Sequence, residues 1–124
     1  MPATNAIPVE FFPAIDGSMS SSDGQTFYLK AERDDGNPVM LGFPHTEIPN
    51  IIELAAMQLA HGRDAEGQSV VTAFQSTSFT VGRGPNGEVV LSLTVGQTGR
   101  ISFLLPDGMP EQIIEVLAKS VTRH

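Results

Sequence analysis

The decapeptide VGRGPNGEVV, residues 81–90, holds glycines at 82, 84 and 87 in the spacing G-x-G-x-x-G, and Val89 completes the string of a kinase glycine-rich loop. A phosphate cradle of this kind works because backbone amides at a helix N-terminus point at the anion. Here Gly87 runs instead into EVVLSLTV, an alternating strand pattern, and Pro85-Asn86-Gly87 is a turn signal. The kinase form also needs a lysine on the following strand and a catalytic loop, whereas the one lysine beyond Gly87 is Lys119. The string is expected to form a hairpin, and no nucleotide is expected to bind.

Histidine with a carboxylate is the next combination able to do chemistry, as a general acid–base pair. Of His45, His61 and His124, His124 closes the chain. His61 falls where a helix should end, and a cation there complements the helix dipole. His45 stands in PHTE with Glu47 two residues on, and a half-chain shift of 62 residues pairs it with Asp107 in PDGM. His45, Glu47 and Asp107 therefore form a candidate polar site for a small metal-independent enzyme. Capping and loop duty explains the same residues without catalysis, because no nucleophile accompanies them; no catalytic residue is assigned. His45 and His61 are too far apart to share a metal, about 24 Å if helical. ERDDGN, residues 32–37, lacks the glycine and glutamate spacing of a calcium loop and suits a hairpin turn. QSTSF, residues 75–79, offers hydroxyls and suits a bulged or edge strand. No metal or cofactor is expected.

The elements that must position these residues are written twice. Sliding the chain by 62 lays residues 27–56 on residues 89–118 without a gap and with six identities in 30 positions. Agreement of pattern says more than those few identities. Phe27, Leu29 and Ala31 alternate with Tyr28, Lys30 and Glu32, and Val89, Leu91 and Leu93 with Val90, Ser92 and Thr94; Val39, Leu41 and Phe43 match Ile101, Phe103 and Leu105. Helical spacing follows in each half, over residues 47–61 with Ile48, Ile51, Ile52, Ala55 and Leu59 on one stripe. The second stripe, over residues 110–122, has Ile113, Ile114, Leu117 and Val121. Pro49 and Pro110 suit a first helical turn, Thr46 a cap and Gly62 a left-handed stop. Residues 8–15 and 69–81 each read as a further strand, and residues 17–24 as a flexible connection.

The expected fold is α+β: an antiparallel sheet of about six strands with two helices on one face, a tandem duplication of a β-β-β-α unit. One domain spans residues 1–124, with pseudo-repeats at about 7–62 and 69–124. Its expected core is Phe27, Leu29, Val39, Leu41, Phe43, Ile51, Ile52, Leu91, Leu93, Ile101, Phe103, Ile113 and Leu117.

Composition narrows the function. Seven basic against 14 acidic residues give a net charge of −7, which repels nucleic acid and anionic membrane. Absence of cysteine removes disulfides, zinc–thiolate sites and thiol catalysis. The opening MPATNAIPVEFF has neither a basic region nor a long apolar run, and no stretch approaches about 18 apolar residues; a cytoplasmic location is expected. Alternation sends Tyr28, Met40, Val90 and Leu104 to the sheet face away from the helices, more apolar surface than water suits. These four are the expected interaction surface of a non-catalytic module that binds another protein or itself, most simply as a twofold homodimer. Pairing along a strand edge is the rival geometry.

Small size, acidic charge, missing cysteines and a sheet-plus-two-helix build are similar to those of type III secretion chaperones. The resemblance lies in these general features, with no individual motif, and it implies an acidic chaperone-like protein as a further reading.

Overall fold

Strict alternation in the two central segments should produce strands, and it does. A computed structural model describes residues 7–121 of the chain. Its elements run β1 (Ala14–Ser20), β2 (Thr26–Glu32), β3 (Pro38–Pro44), a 3-10 turn (His45–Glu47), α1 (Ile48–Leu59), β4 (Phe79–Arg83), β5 (Val89–Val95), β6 (Gly99–Leu105) and α2 (Met109–Val121). The class is α+β and the order is β-β-β-α stated twice. The six antiparallel strands pair three and three: β1-β2-β3 form one sheet and β4-β5-β6 another. The expected single sheet is thus divided, because every pairing joins strands that are neighbours in sequence. Two compact units follow this division, the first ending at Val71 and the second beginning at Thr72.

The duplication is written into the register. Phe27 pairs with Phe43 in the first unit, and Val89 pairs with Leu105 in the second, both partners moved by 62. Leu29↔Leu41 likewise becomes Leu91↔Phe103. The outer strands depart from this shift by one residue: Leu29 faces Ser18, whereas Leu91 faces Val81. The first hairpin loop holds the extra residue. It closes with Ser21 N–H donating to the Thr26 carbonyl, five residues on, where Gly84 N–H reaches the Glu88 carbonyl, four residues on.

The glycine string is this second hairpin. Gly87 takes a φ of 83°, a left-handed conformation that glycine adopts without steric cost, and its amide donates to Gly84 at 3.0 Å. At residues 33–37 the Arg33 amide donates to Asn37 and the Gly36 amide to Arg33, closing the expected turn.

Several boundaries differ from expectation, each for a local reason. Residues 8–13 are not a strand: Pro8 and Pro13 lack the N–H that a ladder needs. Glu10 is held instead by Arg33, whose guanidinium lies 2.7 Å from its carboxylate. The strand starts at Ala14 and runs to Ser20, through half of the segment expected to be loose, with a register break between Ile15 and Gly17. Of residues 69–81 only Phe79 onward is strand. Thr46 does not cap α1; it lies within the 3-10 turn, and the cap position, Glu47, makes no side-chain bond to the helix. Helix α1 stops at Leu59, and its end tightens through His61 and Gly62 amides bonded to the carbonyls three residues back. Gly62 therefore does not take the left-handed form. α2 starts at Met109, and both its expected end at Thr122 and His124 lie outside the described residues.

The core is the largest departure. Among the described residues Ala31 is the one apolar side chain that is fully buried. Phe27, Leu29, Val39, Leu41, Phe43, Ile51, Leu91, Leu93, Ile101 and Ile113 are half-buried, while Ile52, Phe103 and Leu117 are exposed. A three-stranded sheet with one helix has too little mass to enclose its own apolar face. No helix among the described residues is long and apolar enough to cross a membrane.

Candidate interaction surfaces

Opposite faces of each sheet differ in chemistry because directly paired residues share a face. In the second unit one face is built of cross-strand rows. Val81–Leu91–Phe103 crosses all three strands, and Phe79–Leu93–Ile101 runs beside it. Both rows are wholly apolar. A third row, Arg83–Val89–Leu105, ends in a charge, which is turned to the hairpin: the Arg83 guanidinium donates to the Gly87 carbonyl at 3.1 Å.

α2 covers only one end of this face. Pro110, Ile113 and Ile114 line an apolar cleft of about 160 Å³ with Val81, Val89, Leu91 and Leu105. Val81, in this cleft, is still 62% exposed, and beyond it Phe79 is 67% and Phe103 46% exposed. The first unit shows the same plan with a different edge. Its rows are Ile15–Ala31–Val39, Ser18–Leu29–Leu41 and Ser20–Phe27–Phe43, so β1 supplies serines at two of three places. Phe27 and Phe43 stack with ring centres 5.6 Å apart.

The four residues expected to form an interaction surface lie on the other faces, two in each unit. Tyr28 is paired with Gly42, and its ring lies over that glycine, 3.1 Å from where a β-carbon would be. The glycine leaves room for the ring, which is half-buried. Met40 is exposed and paired with Lys30, whose ammonium lies 3.9 Å from Asp16. Val90 and Leu104 are direct partners; Val90 is half-buried and Leu104 is 62% exposed. Beside them Ser92 and Ser102 share a hydrogen bond. These faces mix apolar and polar groups, whereas the two apolar rows of the second unit contain no polar side chain.

His45 and Glu47 share the 3-10 turn before α1, and both are exposed. The His45 amide donates to Gln25 at 2.8 Å, and the Glu47 carboxylate accepts from Asn50 at 3.4 Å. Asp107 belongs to the second unit, in the turn before α2, where it lines an open surface depression with Glu88, Leu104, Leu105 and Pro106. His45 and Glu47 thus belong together as turn residues, and Asp107 has a separate setting.

Sequence reasoning passed over two features. Phe79 and Val81 were readable as alternating strand residues, but their alternation gave no sign that both would stay exposed. Thr94 was not singled out at all. Its hydroxyl accepts from the Thr77 and Ser78 amides, each at 3.0 Å, and contacts the Ser76 hydroxyl at 3.1 Å. A bulged or edge strand was expected over residues 75–79; Phe79 begins the edge strand β4, and the hydroxyl run before it is instead a clamp on β5. Comparison of the chain with protein-family models, with curated proteins and with solved structures gave no match.

Proposed function

We propose that this chain is a small acidic module that acts by association, first with a second copy of itself, and that catalysis is not its work. One observation carries the reading. Among the described residues Ala31 is the one fully buried apolar side chain, while Phe79, Val81, Phe103, Ile114, Val116, Leu117 and Val121 of the second unit are exposed, more apolar surface than a monomer leaves to water.

The exposed apolar residues support the same reading, since scattered single side chains would need no explanation but contiguous rows do. His45 and Glu47, on an exposed turn, lack the enclosed setting that acid–base chemistry uses to exclude water. The test is light scattering after size exclusion over a range of protein concentration. A dimeric mass at roughly 100 µM, with a melting temperature that rises with concentration as subunit linkage requires, is the expected result. A monomer at that concentration with a sharp, concentration-independent melt overturns the proposal.

A further inference from the structure

We infer that two copies join edge to edge through β6, antiparallel about a twofold axis at Ser102, so that their three-stranded sheets become one continuous sheet. This rests on the self-association proposed above and gives it a geometry.

The bonding parity of the second sheet determines what β6 leaves open. In an antiparallel ladder a residue turns its N–H and C=O to the same neighbour, and successive residues alternate sides. The Gly84 amide donates to the Glu88 carbonyl and the Thr94 amide to the Ser78 carbonyl, so even-numbered residues of this stretch bond toward β4. The odd-numbered residues from Val89 to Val95 therefore bond toward β6, to Leu105, Phe103, Ile101 and Gly99. Arg100, Ser102 and Leu104 are left with N–H and C=O aimed away from a sheet that ends at β6.

The other edges are guarded. The Arg33 amide bonds to Asn37 and the His45 amide to Gln25, which sets the parity of β3. Its outward residues are Pro38, Met40, Gly42 and Pro44, and the prolines have no N–H to offer. β1 carries the register break between Ile15 and Gly17, and β4 has only five residues; bulges and shortness both blunt an edge. In β6 the half-chain shift puts Arg100 where β3 has Pro38, and its seven residues hold neither proline nor register break.

The occupant follows from how β6 fits its own copy. About an axis at Ser102, Arg100 pairs with the copy's Leu104, Ser102 with Ser102, and Leu104 with Arg100. Each pair exchanges both N–H···O bonds, so every outward group of the three residues is met. The same register sets Ile101 beside the copy's Phe103, and the row Phe79–Leu93–Ile101 continues into the copy's Phe103–Leu91–Val81. A slip of one residue would break the bonding parity and set the apolar face beside the polar one. β6 holds no carboxylate in a chain of net charge −7, and each Arg100 stands opposite a leucine, away from the other arginine. An axis that pairs the edge with itself uses the edge up, so the assembly closes at two copies.

The experiment reads hydrogen exchange of the full wild-type chain, dilute and concentrated, by mass spectrometry with residue-level fragmentation. The Arg100, Ser102 and Leu104 amides are expected to exchange at least about tenfold more slowly in the concentrated sample. The Met40 and Gly42 amides, outward on β3, should exchange at one rate throughout. Independently, Arg100→Pro gives β6 the proline that β3 has at the corresponding position. Its N–H serves no bond within the chain's own sheet, so the variant should fold by circular dichroism and dimerise roughly tenfold more weakly, one bond being lost at each of two symmetric sites. A Ser102 amide that exchanges as fast in the dimer as in the dilute chain overturns this edge and leaves self-association standing. So does a folded Arg100→Pro chain that dimerises as tightly as the wild type. A wild-type chain that stays monomeric overturns both.

Discussion

Ser92 and Ser102 face one another across β5 and β6 with hydroxyl oxygens 2.6 Å apart, and only one of the two is buried. That asymmetry gives the two deletions different costs. Removing the Ser102 hydroxyl leaves a buried polar group without its partner, a loss of about 1–3 kcal/mol. Removing the Ser92 hydroxyl leaves an exposed serine that water can satisfy, so Ser92→Ala should cost about 0.5–1 kcal/mol. Urea unfolding of the two variants at one protein concentration checks the order; equal costs, or the reverse order, would remove the pair from the account of the sheet.

Thr94 holds the segment before β4 in place. Its hydroxyl accepts two backbone amides and donates to the Ser78 carbonyl at 3.2 Å. Thr94→Val keeps the side-chain shape and removes these bonds. Hydrogen exchange at the Thr77 and Ser78 amides should accelerate at least tenfold, while β5 and β6 amides keep their protection. Uniform acceleration throughout the sheet would mean that the threonine stabilises the strand pairing itself.

Leu41 and Phe103 occupy corresponding strands but different depths. Leu41 is half-buried within its unit, so Leu41→Ala should cost about 1–2 kcal/mol, part of the full transfer value for leucine. Phe103 is close to half exposed. Phe103→Ala should therefore cost little in dilute protein and about 3–5 kcal/mol once a partner encloses the ring. The check is a melting series for both variants across a hundredfold range of concentration. A Phe103→Ala penalty that does not change with concentration would mean that no second copy encloses this ring.

How far the sequence revealed the fold depends on which forces are local. Phe27, Leu29, Leu91 and Leu93 announce their strands by alternation, and the 62-residue shift reproduces the pairing of the central hairpins residue for residue. The outer strands were harder because their register rests on loop length and a bulge: one extra residue in the first loop is enough to set Ser18 in place of Met19 opposite Leu29. Thr94 was hidden because a clamp between residues 16 to 18 apart has no period. Coverage of a sheet face is a different matter: alternation shows which side chains share a face and says nothing of whether anything in the unit covers that face.

Asp23 lies in the first hairpin loop, where the Ser21 hydroxyl donates to its carboxylate at 2.6 Å and the Gln25 amide at 3.0 Å. The serine bond first, and then the backbone amide, hold its pKa below the ordinary 3.8. A depressed pKa means that the folded loop favours the carboxylate. The stabilisation is therefore present above the ordinary value and is lost as pH falls through the lowered one. An NMR titration of the Asp23 carboxyl carbon should show the depression, and Ser21→Ala should move the pKa back toward 3.8. No movement in that variant would assign the effect to the backbone amide alone.

Each strand pairs with a strand next to it in the chain, through turns of a few residues. Folding of either sheet thus requires little loop closure, and low contact order goes with rapid folding. Hairpins of this kind form within about 1–10 µs. Neither unit need wait for a distant segment, and each can assemble as soon as its own stretch leaves the ribosome. On the proposed dimer, the slow event is then the collision of two finished chains. Recovery from denaturant should show a fast phase indifferent to dilution and a second-order phase that lengthens with it, so that abundance in the cell would set how much of the protein is in its working form.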